Sequence, residues 1–158
     1  MMKEFGFRGI SEVIATTISK SGEPNAAPIG IISDGNLSAR VYTNTQTYAN
    51  IKATKKMVAN IVDDPMLFVL SALMKLSLDE FRMDDGNPVL KAAKAWIVFE
   101  CSIVDDPKCA TVILLPLRGQ IGIIWISDII SLQAKHKGKK WSAKHIEGEV
   151  EKGIIQAS

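Results

Sequence analysis

The sequence predicts a mainly β protein with helices, in the form of one barrel of about seven short antiparallel strands. The chain of 158 residues is about one domain long. Runs rich in Val, Ile and Thr recur at short intervals between turn-forming clusters, as in small barrels. Neither an internal repeat nor a linker divides the chain, so a single domain over residues 1–158 is expected.

The first three strands are predicted over residues 12–19, 25–33 and 36–43. Asp34-Gly35, the two-residue signal of a type I′ turn, separates the second from the third. Pro28 cannot donate to a β-ladder and Gly30 weakens one. The second strand is therefore an edge strand or a place where something approaches the backbone closely. A flat ligand fits against its small residues Ala26, Ala27 and Gly30.

A polar corner at residues 39–51 follows, where a β-type run turns into a short helix. If Thr47 caps a helix that begins at Tyr48, the unpaired N–H groups of the first turn favour a phosphate. Arg40 adds a fixed charge and the forked donors that suit phosphate geometry. The alternative is that the threonines only cap the helix.

The second half of the chain is predicted from similar signals. After a strand at residues 57–62, Asp64-Pro65 begins a helix over residues 65–81, whose apolar side should close the open end of a sheet. Residues 84–88 are predicted to be a flexible link. The last strands are predicted over residues 95–104, 109–115 and 121–126, with Pro116-Leu117-Arg118-Gly119 between the last two. Residues 128–158 are assigned to a helical or partly disordered tail.

Composition argues against several functions. The longest apolar run, residues 121–132, is interrupted and too short to cross a bilayer, and charges in residues 1–12 exclude a signal-peptide core. A cytoplasmic protein is therefore expected. The net charge of +2 is too mild to argue for nucleic acid, and the five lysines of residues 135–144 are read as a solvated tail rather than a nucleic-acid patch. Cys101 and Cys109 are expected to be free thiols, and no metal-site spacing is present.

Two segments resemble the FMN-binding split β-barrel proteins, which include the flavin reductases. Thr16-Thr17, Gly22 and residues 25–30 are similar to the strand pair of that family. Arg40, Thr45, Thr47-Tyr48, Asn50 and Ile51 are similar to its later T-x-x-N-I helix start. The similarity is good over residues 10–62 and weak beyond residue 110. The chain most closely resembles an uncharacterised archaeal branch of the fold, and the resemblance implies a split barrel of six to seven strands.

The resemblance also implies a cofactor and a partner. It implies that the FMN phosphate binds Thr45, Thr47 and Arg40, that Asn50 ties the turn together and that the isoalloxazine lies along residues 25–30. Family members are homodimers with the flavin at the subunit interface, and NAD(P)H would dock only transiently. The expected cofactor-binding residues are Thr17, Asn25, Ala26, Ala27, Pro28, Ile29, Gly30, Arg40, Thr45, Gln46, Thr47 and Asn50.

Three functions remain open at this point. The first is a flavin-dependent oxidoreductase that passes hydride from NAD(P)H through FMN to an unknown acceptor. No catalytic acid or base is obvious, and neither a Rossmann motif nor a P-loop is present. The second is an FMN-binding or carrier protein without turnover, or a structural dimer whose pocket takes another ligand. The third is nucleic-acid binding through residues 135–144.

Overall fold

The computed structural model describes residues 9–121 and 124–125. Its strands and helices follow one another in the order β1 (Gly9–Ile18), β2 (Pro24–Asp34), β3 (Asn36–Tyr42), α1 (Gln46–Thr54), β4 (Lys56–Ile61), α2 (Pro65–Leu73), β5 (Phe81–Asp84), β6 (Asn87–Leu90), β7 (Ala95–Val104), β8 (Cys109–Ile121) and β9 (Ile124–Trp125). Six antiparallel strands lie side by side in the order β3-β2-β1-β4-β7-β8, and β3 also pairs with β8, which closes a barrel. The predicted fold class is confirmed.

The core of the barrel is built from residues that alternate along the strands. Val13, Ile31, Ile97, Phe99 and Val112 are all at most 1% exposed and pack together inside. Burying side chains of this size contributes about 1.5–3 kcal/mol each. The residues of β4 and β7 that lie between these core positions face outward, and the β5–β6 hairpin covers them.

A buried asparagine fastens that hairpin to the barrel. Asn60, on β4, donates hydrogen bonds to the Ile14 carbonyl and the Thr16 hydroxyl, each at 2.9 Å. Its side-chain oxygen accepts the N–H of Leu90 at 2.9 Å. The Thr16 hydroxyl in turn donates to the Pro88 carbonyl. Because Asn60 is fully buried, these bonds replace the water that its amide would otherwise need.

The barrel is split beside β2. This strand pairs with β1 along its whole length, but with β3 only through residues 31–34. β3 then continues as the partner of β8. In the described part of the chain, the other edge of residues 24–30 has no strand partner, in agreement with the edge predicted around Pro28. At Gly30, an added Cβ would lie 3.1 Å from Ile10 Cγ2, so the close neighbour of this glycine is a side chain of β1.

The predicted helix over residues 65–81 is too long, because α2 ends at Leu73. Met74 is already extended, with φ −151° and ψ 164°. Leu76 and Phe81 then pack with Ile14 and Leu90 in a second cluster outside the barrel. A helix continued through residue 81 would not deliver both side chains there. A short 3-10 turn at Leu78–Glu80 precedes β5.

The turn predictions need two corrections. Residues 84–88 are not a flexible link but the tight turn between β5 and β6. Asp85 and Gly86 have φ of 49° and 80°, which satisfies the requirement of a type I′ turn for two positive φ values. Between β2 and β3 only Gly35 has a positive φ, 72°, and Asp34 pairs directly with Asn36. The hairpin predicted there is present, but its turn is not type I′.

The break predicted after residue 115 is also wrong, because β8 is one strand of 13 residues. Phe99 lies opposite Pro116 and Val98 lies opposite Arg118, so Leu117 is an extra residue in a β-bulge. A bulge tolerates the missing N–H of a proline without ending the strand. Of the predicted strand at 121–126, the structure describes Ile121 at the end of β8 and the short β9. The predicted tail at 128–158, with its lysines at 135–144, lies outside the described residues.

Candidate functional site

A cleft of about 670 Å³ opens where β2 lacks a second strand partner. The unpaired edge of β2 forms its floor. The first turn of α1 and the carboxyl-terminal end of α2 form its two walls. This volume is in the usual range for small-molecule sites. The residues that line it are Ser19, Ser21, Glu23–Ala27, Thr45–Thr47 and Ser71–Lys75.

The first wall is the capped start of α1. Thr45 precedes the helix with extended backbone angles, and its hydroxyl oxygen accepts the N–H of Tyr48 at 3.2 Å. The same hydroxyl donates to the Tyr42 carbonyl at 2.7 Å. The first bond of the helix runs from the Ala49 N–H to the Thr45 carbonyl. The cap is therefore Thr45, and the prediction of Thr47 as the cap is wrong because the helix begins two residues earlier than expected.

This cap leaves two backbone donors beside the cleft. The N–H groups of Gln46 and Thr47 come before the first intrahelical hydrogen bond, so the helix itself offers them no acceptor. They lie at the positive end of the helix dipole. The start of α1 is thus suited to an anion.

Hydrogen bonds beneath the cleft hold α1 in place. Thr47 is 3% exposed, and its hydroxyl oxygen accepts the side-chain amide of Asn25 at 3.2 Å, which joins α1 to β2 across the split. Buried Asn50 donates to the Thr17 hydroxyl at 3.0 Å and accepts the side-chain amide of Gln46 at 2.7 Å. These two links fix the first turn of α1 against β1 and β2.

The structure brings together only part of the predicted set. Asn25, Ala26, Ala27, Thr45, Gln46 and Thr47 line the cleft. Thr17 and Asn50 do not line it: Asn50 accepts the Gln46 amide and donates to Thr17, and it lines a second cleft beside α1. Pro28 and Gly30 continue along β2, and the Ile29 side chain is buried in the barrel core. Arg40 is exposed on β3 opposite Thr111 and does not line the cleft.

The second wall was not predicted from the sequence. Leu73, Met74 and Lys75 lie at the end of α2, which the prediction placed within a longer helix. Lys75 Nζ is 3.7 Å from a carboxylate oxygen of Glu23, so an exposed ion pair spans the cleft from the β1–β2 turn to α2. The two charges offset each other. The dipole of α1 is then the main source of positive potential in the cleft.

A second cleft of about 570 Å³ lies on the other side of α1. Two lysines, Lys20 and Lys52, line it, and Lys52 is engaged by its own neighbours, with Nζ 3.3 Å from the Tyr48 hydroxyl and 3.9 Å from a carboxylate oxygen of Asp105. The hydrogen bond that Lys52 donates to the Tyr48 hydroxyl and the charge of Asp105 raise the pKa of Lys52 above its usual value. Within residues 9–121 and 124–125, no group of three or more His, Cys, Asp or Glu side chains is placed to hold a metal ion. No helix among these residues is long and apolar enough to span a membrane.

The closed six-stranded antiparallel barrel, split beside β2, defines the class of the flavin reductase-like split β-barrels. Within that class, the chain belongs to the family described as protein of unknown function (DUF447), N-terminal domain, whose model matches residues 11–122. No curated protein matches the chain. The resemblance to FMN-binding split barrels is confirmed.

Several solved structures share this fold. An FMN-bound protein of the DUF447 family from Methanosarcina mazei is 39% identical with a TM-score of 0.71, over 77% of this chain and 66% of that one. This chain therefore spans about two thirds of the Methanosarcina protein. A flavin reductase domain protein from Arthrobacter is 18% identical, with a TM-score of 0.61 over 77% and 83% of the two chains. Nitrilotriacetate monooxygenase component B from Bacillus cereus is 15% identical, with a TM-score of 0.61 over 77% and 74%. The last two show the fold alone.

Proposed function

We propose that this chain binds FMN in the cleft between β2, α1 and α2. One observation carries the proposal, namely that a single cleft combines the capped start of α1 with the unpaired edge of β2. A flavin mononucleotide needs an anion site for its phosphate and a flat polar edge for its ring. The FMN-bound relative from Methanosarcina mazei supports the same ligand.

The start of α1 is the proposed phosphate site. The N–H groups of Gln46 and Thr47 would donate to the phosphate, and the helix dipole would favour its charge. Thr45 would act through the cap that orders these groups, since its own hydroxyl is already engaged on both sides. Arg40 does not line the cleft, and we propose it as an additional cation only through its long side chain, which would have to extend to the phosphate from its exposed position on β3.

The edge of β2 is the proposed site of the isoalloxazine ring. Residues 24–30 have backbone groups that no neighbouring strand uses among the described residues. Ala26 and Ala27 are small enough for a ring to lie flat, and the bond to Thr47 fixes the Asn25 amide beside it. Ile29 would contribute backbone only, because its side chain is directed into the core.

We further propose a flavin-dependent oxidoreductase that takes electrons from NAD(P)H and passes them to a small acceptor. Bound FMN would supply the hydride chemistry. The chain would bind and orient the flavin and exclude water from one face of it. Apart from the Glu23–Lys75 ion pair, the lining side chains offer no acid or base, and hydride transfer between nicotinamide and flavin requires none. A homodimer with the flavin at the interface is part of the proposal.

The same scarcity of acid and base groups favours a second function, an FMN carrier without turnover. Anaerobic mixing of the FMN-loaded protein with NADH or NADPH distinguishes the two. Bleaching of the visible flavin band within seconds, faster than free FMN at equal concentration, supports the oxidoreductase. A band that persists, but is bleached by dithionite, supports the carrier. Protein that retains no FMN on gel filtration would overturn both.

A further inference from the structure

The second cleft adjoins the first at the start of α1. Ser19 and Gln46 line both clefts. Hydrogen bonds hold both residues in place, because the Ser19 hydroxyl accepts the N–H of Glu23 at 3.0 Å and the Gln46 side-chain amide donates to Asn50 at 2.7 Å. The backbone N–H of Gln46 is also one of the two donors proposed for the flavin phosphate. A phosphate bound by this group would therefore lie at the boundary between the two clefts.

The second cleft carries the positive charge that lacks a full counter-charge. In the first cleft, Glu23 offsets the charge of Lys75. In the second cleft, Lys52 lies 3.9 Å from a carboxylate oxygen of Asp105, while exposed Lys20 has no ion-pair partner among the described residues. No acidic residue of the described chain lines this cleft. Its potential therefore favours an anion.

The surface of α1 in the second cleft is formed by small apolar side chains. Ala49 and Ala53 are exposed and lie one helical turn apart on the same face. The partly buried ring of Tyr48 adjoins them, and its hydroxyl is fixed by a hydrogen bond that it donates to Asp105. A planar ring can lie on the two alanines while an anionic group attached to it contacts the lysines. The volume of about 570 Å³ is in the usual range for small-molecule sites.

We propose that the second cleft binds an adenylate, the phosphate-bearing adenosine half of a dinucleotide whose other half lies in the first cleft. This inference rests on the proposed FMN site and deepens it. Lys20 and Lys52 contact the phosphate of the adenylate, and Ala49 and Ala53 contact its base. A planar base joined to an anion is the ligand that this combination of side chains fits.

Two dinucleotides could supply the adenylate. In FAD, the adenylate is attached to the flavin phosphate, so it would continue from the start of α1 past Ser19 and Gln46. In NADPH, the adenylate carries an additional 2′-phosphate, and FMN would stay in the first cleft. In both cases the two lysines contact a phosphate that FMN does not have. The affinity for FMN itself should therefore depend little on these lysines.

The test is a double variant in which Lys20→Gln and Lys52→Gln are combined. Gln is a helix former similar to Lys, so α1 should be retained, and circular dichroism checks this. The matched control combines Lys91→Gln and Lys94→Gln. Like the tested pair, it removes one exposed lysine without an ion-pair partner among the described residues and one exposed lysine that pairs with an aspartate, and neither lines either cleft.

Isothermal titration calorimetry gives the dissociation constants. FMN and FAD are titrated into the flavin-free protein, and 2′,5′-ADP is titrated into both the flavin-free and the FMN-loaded protein. We expect the lysine variant to bind its adenylate probe about 4- to 25-fold more weakly, since each exposed ion pair contributes about two- to fivefold. Its affinity for FMN should change by less than about twofold, and the control should behave as wild type.

The probes distinguish the two sources of the adenylate. Tighter binding of FAD than of FMN, lost in the lysine variant, identifies FAD. Lysine-dependent binding of 2′,5′-ADP to the FMN-loaded protein identifies NADPH. Either result sustains the inference, and so do both together.

Three results would overturn the inference. The first is equal affinity for FAD and FMN together with no binding of 2′,5′-ADP. The second is an equal loss in the control, which would indicate net charge alone. The third is a loss of FMN as large as that of the adenylate probe, which would place the flavin phosphate at the lysines. Lysine-dependent binding of 2′,5′-ADP by a protein that binds no flavin would sustain the adenylate site and refute the proposed function.

Discussion

Replacing Thr45 by Val tests the proposed phosphate site most directly. The change keeps the shape of the side chain but removes the hydroxyl that accepts the Tyr48 N–H and donates to the Tyr42 carbonyl. Loss of an N-cap costs about 1 kcal/mol of stability, or about 3 °C in Tm for a chain of this size. The first turn of α1 would then no longer hold its N–H groups towards a phosphate.

The effect on FMN affinity follows from the interactions that the cap organises. A dipole contribution of about 1 kcal/mol, and weakening of two hydrogen bonds to a charged oxygen, give a loss of about 1.5–3 kcal/mol. This loss corresponds to a dissociation constant about 10- to 150-fold higher. Riboflavin lacks the phosphate, so its affinity should change by less than about twofold.

Fluorescence titration of wild-type and variant protein with both flavins measures the two effects. Thr43→Val is the matched control, because its hydroxyl donates to the Pro107 and Lys108 carbonyls and lies outside this cleft. It should lower Tm without a selective loss of FMN. Equal losses for FMN and riboflavin, or an equal loss of FMN in Thr43→Val, would refute the assignment of the phosphate to this turn.

Four further predictions follow from individual contacts. Arg40→Ala should weaken the binding of FMN, but not of riboflavin, in the same titration; unchanged FMN affinity would remove this residue from the site. Thr47→Val takes away the acceptor of the Asn25 amide, so less FMN should be retained on gel filtration at unchanged circular dichroism. Asn60→Ala leaves buried backbone groups of β1 and β6 without partners and should lower the unfolding free energy in urea by about 3 kcal/mol. A loss under about 1 kcal/mol would contradict that role. Burial raises the pKa of Cys101 from 9.0 to about 12, so between pH 9 and 12 the unfolded chain loses this proton first and stability falls as pH rises. Cys101→Val should lack that fall in urea titrations at each pH.

The strands were predictable because alternation is a local property. The strand expected at residues 95–104 was found with the same bounds, Ala95–Val104. Pro28 correctly indicated the unpaired edge of β2, because a missing donor is visible in any single sequence. The polar corner was placed correctly, although its cap is Thr45. Three threonines lie near the start of this helix, and the sequence does not distinguish which of them is its N-cap. The direction in which the chain leaves β3 decides between them.

The second wall of the cleft depends on contacts between distant parts of the chain. The helical spacing of leucines continues to Leu78, and no local signal ends the helix at Leu73. What ends it is the packing of Leu76 and Phe81 against Ile14, some sixty residues earlier in the chain. The residues at the end of α2 could not be assigned to the site without this packing. The turn at Asp85-Gly86, in contrast, has a local signal, because Asp-Gly is typical of a type I′ turn.

The unpaired edge of β2 also affects the tendency of the ligand-free protein to aggregate. A row of unpaired backbone N–H and C=O groups can form hydrogen bonds with a strand of another molecule. Such strand addition is the first step towards fibrils. Pro28 lies within that row and interrupts it, since it has no hydrogen to offer. Pro28, which indicates the unpaired edge in the sequence, thus also disfavours the addition of a foreign strand when no ligand covers that edge.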